Sequence, residues 1–185
     1  MQSTEPTRYR RILISGNAGA GKTTLARELG ERFGLPVVGM DRIVWAPGWQ
    51  KTTAEARRRA LDAALAPPCW IVDGVSHEVI RKADLVLLLN TPRWLCYARC
   101  ARRNVRYLFR SRPELPAHCP ELRILPYLLR LIWRFPRFVL PELLATAESA
   151  AVPVVVLPPS GALAAAERAL AQCAMLEARA LSPEP

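Results

Sequence analysis

Residues 12–24 read ILISGNAGAGKTT, an apolar run that passes into a glycine-rich loop and then into a helical pattern. The segment from Gly16 to Thr23 fits GxxxxGK[ST] in full, directly after a predicted strand and at the start of a predicted helix. Glycines let the backbone bend so that successive N–H groups point inward at phosphate oxygens. The N-terminus of the following helix adds positive potential there. The stretch therefore predicts a phosphate-binding loop beside the first strand of a parallel sheet.

The side chains of this loop predict which groups bind the nucleotide and the metal. Lys22 is expected to reach the β- and γ-phosphates of ATP and to act in catalysis, and the Thr23 hydroxyl is expected to hold Mg²⁺. The predicted cofactors are thus ATP and Mg²⁺. The alternative is a chance glycine-rich turn, which the shared register of strand, motif and helix disfavours. The predicted nucleotide-binding residues are Gly16, Asn17, Ala18, Gly19, Ala20, Gly21, Lys22, Thr23 and Thr24.

Apolar runs and helical patterns alternate along the rest of the chain. Five runs are predicted to be strands: Ile12–Ser15, Pro36–Met40, Cys69–Val72, Leu85–Leu89 and Val152–Leu157. Such alternation is typical of a three-layer α/β/α sandwich, here with a five-stranded parallel sheet that has helices on both faces. We expect residues 1–185 to form a single domain of this kind. The stretch from Glu121 to Ala150 is predicted to be helical, with breaks at Pro126, Pro136 and Pro141.

Two aspartates follow predicted strands, where ligands of open α/β sheets bind. Asp73 ends the third strand, and we expect it to hold Mg²⁺ together with Thr23. Asp41 ends the second strand and is predicted to be catalytic, since it is placed to accept a proton from an attacking hydroxyl or to orient the acceptor. The alternative for both is a structural role, because Asp is common at turns and caps.

Arginines recur at helical spacing after the fourth strand. Arg99 and Arg103 lie on one side of the predicted helix, and Arg112 follows in a proline-rich segment. Phosphoryl transfer needs cations around the transferred group, so these three arginines are predicted to be catalytic. Residues 109–121 are expected to form a short lid that excludes water, with Arg112 at its tip. The alternative is a solvated basic face.

Two aromatic segments have two interpretations each. Trp45 and Trp49 flank Pro47-Gly48 close to Asp41, where they either stack on a planar acceptor or fix the turn to the core. The Leu122–Leu144 stretch is apolar and basic, which suits a membrane surface or a helical pair that supports the lid. Its prolines interrupt any long amphipathic stripe, so the helical pair is favoured.

Charge and composition bound the partners. The chain carries 26 basic and 16 acidic residues, a net charge of +10, and between Arg93 and Arg137 only Glu114 and Glu121 are acidic. Phosphate groups, nucleic acid or an acidic membrane surface would each match this excess. No apolar run reaches the roughly 20 residues of a membrane-spanning helix, and the N-terminal residues show no signal pattern. With five cysteines and no CxxC pair, we expect reduced thiols, which suits a cytoplasmic location. We expect the protein to be a monomer or a homodimer.

These motifs together resemble a group of adenylate-kinase-like P-loop proteins known as DNA topology modulation proteins. The resemblance runs from about Ile12 to the fifth strand. It implies a nucleoside-kinase-like fold with five parallel strands and a short lid. The chain departs from the group at Asn90 and at Val75-Ser76, close to the predicted acceptor site. The resemblance rests on Gly16–Thr24, Leu35-Pro36 to Asp41, Trp45-x-Pro47-Gly48-Trp49, Trp70–Gly74, Pro92-Arg93, Arg112-Pro113-Glu114 and Cys119-Pro120-Glu121.

The sequence as a whole predicts a P-loop phosphotransferase. It would move the γ-phosphoryl group of Mg-ATP to a small acceptor, namely a nucleotide, a nucleoside or a hydroxyl compound. The alternative is a nucleic-acid-associated ATPase or regulator of DNA topology, whose basic Arg93–Arg137 surface would contact the nucleic-acid backbone.

Overall fold

Strands and helices alternate along residues 9–107 and 121–180, the part of the chain that the computed structural model describes. The first half contains β1 (Arg11–Gly16), α1 (Lys22–Phe33), β2 (Val37–Gly39), α2 (Met40–Val44), β3 (Trp45–Ala46), β4 (Gln50–Lys51), α3 (Ala54–Leu65), β5 (Trp70–Asp73) and α4 (His77–Lys82). The second half contains β6 (Leu85–Leu89), α5 (Arg93–Tyr107), α6 (Glu121–Arg134), a π-helical turn (Phe135–Val139), α7 (Leu140–Ser149), β7 (Val154–Leu157) and α8 (Ala162–Ala180). The predicted lid, residues 109–121, lies almost wholly outside the described residues.

Five strands form one parallel sheet in the order β2-β5-β1-β6-β7. β1 is central, and its Ile12 is in register with Ile71 on one side and Leu85 on the other. This arrangement confirms the predicted fold class. Because all five strands run the same way, their carboxyl ends meet at one edge of the sheet, here called the carboxyl edge. The opposite edge is called the amino edge.

Helices cover both faces of the sheet, since side chains of a strand alternate between its two faces. Ile12 and Ile14 of β1 pack in one core with residues of α1, α5 and α8. Leu13, between them, packs in a second core with residues of α3, α4 and α7. The strands are nearly continuous apolar runs because both of their faces are buried. The result is the three-layer sandwich that the sequence predicts.

The helical stretch after residue 121 corrects one prediction. α6 runs unbroken from Glu121 to Arg134 with Pro126 inside it, so the expected break at Pro126 is wrong. Ile124, Leu128 and Ile132 are all buried on one face of α6. Their packing outweighs the roughly 3 kcal/mol that an interior proline costs a helix. Pro136 does lie in an irregular π-helical turn, where the chain passes from α6 into α7.

A network of hydrogen bonds closes the amino edge. The Asp84 carboxylate accepts from the main-chain N–H groups of Arg10 and Arg11 at 3.2 and 2.9 Å, and from the Arg11 side chain at 3.0 and 2.6 Å. Burial alone would raise the pKa of Asp84, but the Arg11 side chain and these N–H groups outweigh it, so its pKa lies below the ordinary value of 3.8. The pair ties the starts of β1 and β6 together.

Among the described residues, no helix has both the length and the apolar character that crossing a bilayer requires.

Candidate functional site

The loop between β1 and α1, which the sequence predicts to bind phosphate and which is called the phosphate loop below, lies at the carboxyl edge. Two of its glycines determine its shape. Gly21, at the N-terminus of α1, has φ +103°, and Gly19 has φ +77°. A Cβ atom on Gly19 would lie 2.7 Å from the carbonyl oxygen of Cys96 and 2.9 Å from the sulfur of Cys100. The loop therefore packs directly against α5, and glycine is needed at residue 19 for both its backbone conformation and its contact.

Hydrogen bonds within the loop and to neighbouring elements hold this loop in place. Asn17 is buried; its Oδ1 accepts from the Ala18 N–H at 2.8 Å, and its Nδ2 donates to the carbonyl oxygen of Ile132 in α6 at 3.0 Å. The carbonyl oxygen of Ala20 accepts from Thr91 Oγ1 at 3.3 Å and from Arg99 Nη1 at 2.9 Å. The loop is thus braced by α6 on one side and by α5 and its preceding turn on the other.

The two reactive side chains of the motif are positioned from within the loop. Lys22 Nζ donates to the carbonyl oxygen of Asn17 at 2.9 Å, which holds the ammonium group across the loop. Thr23 Oγ1 donates to Asp73 Oδ2 at 2.5 Å, a bond that joins the start of α1 to the end of β5. The structure thus brings together the two residues that the sequence predicts to hold Mg²⁺. A hydroxyl and a carboxylate are oxygen ligands of the kind that Mg²⁺ prefers, so the residues present fit this ion.

Asp41 also lies at the carboxyl edge, in the first turn of α2. Gly39, two residues before it, is in register with Asp73 across the β2–β5 pair. Gly74 packs against Met40, since a Cβ on Gly74 would lie 2.6 Å from the Met40 side chain. The backbone on either side of Asp41 is thereby fixed next to the Asp73-Gly74 turn, and the Asp41 side chain is exposed.

The three predicted catalytic arginines have different outcomes. Arg99 reaches the phosphate loop, and its Nη2 also donates to the carbonyl oxygen of Pro159 at 3.3 Å, so it links that loop to the loop after β7. The Nη2 of Arg103 donates to the sulfur of Cys100 one turn back on α5, at 3.7 Å. Arg112 lies outside the described residues.

Two buried cysteines of α5, Cys96 and Cys100, lie directly behind the loop. Burial raises the pKa of the Cys96 thiol and nearby Cys100 raises it further, while Lys22 and Arg99 lower it by less. A buried thiol with a raised pKa stays protonated and is a poor nucleophile.

The segment after Asp41, which the sequence predicts to be a turn, forms a small antiparallel hairpin in which β3 pairs with β4. The rings of Trp45 and Trp49 meet edge to face, with centroids 5.3 Å apart. Trp45 also meets Tyr127 of α6 at 6.5 Å. These contacts brace the hairpin against α6, in line with the interpretation that the tryptophans fix the turn.

Two hydrogen bonds of the phosphate loop are not predicted from the sequence. Thr91 is buried and donates to the phosphate loop, although only its neighbour Asn90 stands out in the sequence as a strand-end polar residue. The bond from Asn17 to α6 joins residues 115 positions apart. The position of Thr91 just after an apolar strand is a local pattern that indicates a residue near the phosphate loop. The bond between Asn17 and α6 has no such local pattern.

Among comparisons with known proteins, those with solved structures show the fold. No family model matches the chain, and no curated protein sequence matches it. Among solved structures, shikimate kinase from Acinetobacter baumannii in complex with shikimate is 20% identical with a TM-score of 0.53, covering 95% of this chain and 97% of that one. A gluconokinase from Sinorhizobium meliloti 1021 is 16% identical with a TM-score of 0.55, covering 94% and 98%.

A third solved structure, deoxyadenosine kinase from M. mycoides with bound dATP, is 15% identical with a TM-score of 0.50, covering 91% of this chain and 98% of that one. At these identities the likeness concerns the fold, and the resemblance to DNA topology modulation proteins stays a prediction. The sheet order, the phosphate loop and these likenesses together lead to one conclusion: the chain has the α/β fold of P-loop kinases.

Proposed function

We propose that this chain is an ATP-dependent phosphotransferase that moves the γ-phosphoryl group of ATP to a small acceptor. The observation that carries the proposal is the pairing of Thr23 with Asp73 at 2.5 Å, directly beside a loop that holds the Lys22 ammonium group in place. A glycine-rich turn with only a structural role would not need an ammonium, a hydroxyl and a carboxylate to converge on it.

Each side chain has a role in this proposal. The N–H groups of the loop and Lys22 bind the phosphates, and Thr23 and Asp73 would hold Mg²⁺, which neutralises charge on the phosphate oxygens when bound. Arg99 links the phosphate loop to the loop after β7, so we assign the adenine end of ATP to that second loop.

Asp41 favours a hydroxyl acceptor. In the proposed reaction the hydroxyl oxygen forms a bond to the γ-phosphorus, the bond from that phosphorus to the β–γ bridging oxygen breaks, and ADP leaves with the electron pair. The hydroxyl proton passes to the Asp41 carboxylate. Phosphate acceptors need no such base, whereas a hydroxyl group gains about 10²–10⁴-fold from one.

The experiment is an acceptor panel. Wild-type protein with Mg²⁺ and ATP is incubated with nucleosides, nucleoside monophosphates, sugars and hydroxy acids, and ADP release and product phosphorylation are followed. We expect acceptor-dependent turnover that falls about 10²-fold or more in Asp41→Asn. Turnover that survives in Asp41→Asn would remove the proposed base and point to a phosphate acceptor. If no acceptor raises the rate above that of ATP alone, the proposed function fails.

A second candidate, a nucleic-acid-associated ATPase, has one observation in its favour. Trp94, Tyr127 and Phe138 have exposed fractions of 70%, 54% and 53%, and the guanidinium carbon of Arg134 lies 4.8 Å from the Phe138 ring centroid. Exposed aromatic rings among basic side chains suit stacking of single-stranded bases. ATP hydrolysis that a single-stranded oligonucleotide stimulates, with a steep dependence on salt concentration, would favour this candidate over the kinase.

A further inference from the structure

Two arginines from different helices converge on one tryptophan. The guanidinium carbon of Arg93, the first residue of α5, lies 4.5 Å from the ring centroid of Trp133 in α6. The guanidinium carbon of Arg137, in the π-helical turn, lies 6.0 Å from the same centroid. We call Arg93, Trp133 and Arg137 the arginine–tryptophan cluster.

The positive charge of this cluster has no counterpart within residues 9–107 and 121–180. Ion pairs there involve other basic residues, such as Arg11 with Asp84 and Arg32 with Glu167, and none involves Arg93 or Arg137. A ring face offsets a nearby cation by about 0.5–2 kcal/mol, but it does not remove the repulsion between two cations. Trp133 is 53% exposed, so the cluster is open to solvent and to a ligand. A bound anion would neutralise the positive charge of the two guanidinium groups.

The position of the cluster ties it to the phosphate loop. Trp133 directly follows Ile132, whose carbonyl oxygen accepts the bond from Asn17. Arg93 comes two residues after Thr91, whose hydroxyl donates to Ala20 of the same loop. Arg93 and Trp133 therefore lie at the carboxyl edge, next to residues that contact the phosphate loop. α6, which carries Trp133, also contacts the hairpin that follows Asp41 through Tyr127.

We propose that the arginine–tryptophan cluster binds an anionic group of the phosphoryl acceptor. This inference rests on the proposed function and narrows it: the acceptor is a small compound that carries a hydroxyl group and also a carboxylate or phosphate group. Asp41 accounts for the hydroxyl, which is the group that reacts. The two guanidinium groups account for the anion, which is bound by charge-assisted hydrogen bonds and does not react.

The kinetic test compares hydroxyl acceptors that carry an anionic group with neutral counterparts of similar size. The pairs are gluconate with glucose and glycerate with glycerol, and a 5′-hydroxyl oligonucleotide forms a separate arm. We expect kcat/KM to be at least about 10-fold higher for the anionic member of an accepted pair, because a charged hydrogen bond contributes about 1.5–3 kcal/mol. Equal values within each pair, or transfer to the oligonucleotide alone, would overturn the inference.

Substitutions assign the effect to the cluster. Arg93→Gln and Arg137→Gln should each raise KM for the anionic acceptor about 10-fold, with kcat changed by less than about 2-fold, since both groups bind the acceptor and neither touches the transferred phosphoryl group. The matched control is Arg81→Gln, an exposed arginine at the amino edge, which should leave KM unchanged. Unchanged KM in both cluster variants would contradict the proposal.

A binding measurement separates failure of this inference from failure of the proposed function. Inorganic phosphate is titrated into the protein while tryptophan fluorescence is followed, and the same titration in Trp133→Phe isolates the contribution of Trp133 among the five tryptophans. We expect a saturable change that Arg93→Gln and Arg137→Gln weaken and that Trp133→Phe abolishes. If the protein shows this response but no kinase turnover, the anion site stands and the reaction is wrong. If it turns over acceptors without this response, the anion site is wrong.

Discussion

The two edges of the central sheet satisfy their polar groups in opposite ways. At the amino edge, the Asp84 carboxylate accepts four hydrogen bonds from Arg10 and Arg11, so protein groups meet its needs. At the carboxyl edge, the Lys22 ammonium group makes one hydrogen bond within the described residues, to the carbonyl oxygen of Asn17. An ammonium group has three donors, so it keeps capacity for a ligand.

This difference separates residues that stabilise the fold from residues that are available to bind a ligand. Substitutions at the amino edge should lower the free energy of unfolding and leave activity intact. Substitutions at the carboxyl edge should remove activity at little loss of stability, except where a residue also packs the loop against its neighbours. Four substitutions test this contrast.

The largest effect should come from Lys22→Ala. Removing a preorganised cation from the transferred phosphoryl group should lower acceptor-dependent turnover about 10³-fold. The melting temperature should stay within a few degrees of wild type, because the side chain is bonded only to its own loop in the described structure. Turnover is followed by ADP release and stability by thermal unfolding. A large fall in melting temperature with activity retained would reverse the assignment of this edge.

Gly19→Ala should show where the contrast breaks down. The new Cβ would meet the Cys96 carbonyl oxygen at 2.7 Å, in a residue with φ +77°, so the free energy of unfolding should fall by about 3 kcal/mol. Gly34→Ala is the matched control, since Gly34 has φ +65° but nothing within 4 Å of its Cβ position. Denaturant unfolding of both variants measures the contact separately from the backbone conformation. Equal losses would mean that the contact with α5 contributes nothing.

Asp84→Asn should lower the free energy of unfolding by about 2 kcal/mol at neutral pH and leave turnover unchanged. The folded-state pKa of Asp84 is lowered, so its stabilising effect is present above the unfolded value and is lost as pH falls through the range below 3.8. The gap between wild type and variant should therefore close in that acidic range. Asp62→Asn, which removes exposed ion pairs at 3.4 and 4.0 Å, is the control and should cost less than about 1 kcal/mol. A gap that persists undiminished below the acidic range would exclude the ionised carboxylate as its cause.

Arg99→Lys should have the smallest effect. Lysine keeps the charge but has no planar fork, so it cannot bond both Ala20 and Pro159 as Arg99 does. We expect KM for ATP to rise about 10-fold, with KM for the acceptor unchanged. Initial rates at varied ATP and fixed acceptor measure this. A change in acceptor KM instead would place Arg99 on the acceptor side.

The sequence predicts well those features that depend on residues close to one another along the chain. The phosphate loop and the sheet follow from local patterns, and Asp73 comes from the end of an apolar strand. The bond from Asn17 to Ile132 and the arginine–tryptophan cluster depend on how α6 packs, so no local pattern indicates them. The predicted helix break at Pro126 is wrong for the same reason, since the buried contacts of α6 outweigh the local tendency of proline to interrupt a helix.

The most direct test of the central claim, that the carboxyl edge is a Mg-ATP site, is calorimetric titration of ATP with and without Mg²⁺ in wild type and in Asp73→Asn. The account predicts that Mg²⁺ tightens ATP binding to the wild-type protein, because Thr23 and Asp73, whose side-chain oxygens lie 2.5 Å apart, are the proposed ligands of the ion. It also predicts that Asp73→Asn retains the metal-free affinity and loses most of the Mg²⁺ effect. Wild-type affinity that is the same with and without Mg²⁺, or no ATP binding at all, would contradict the account.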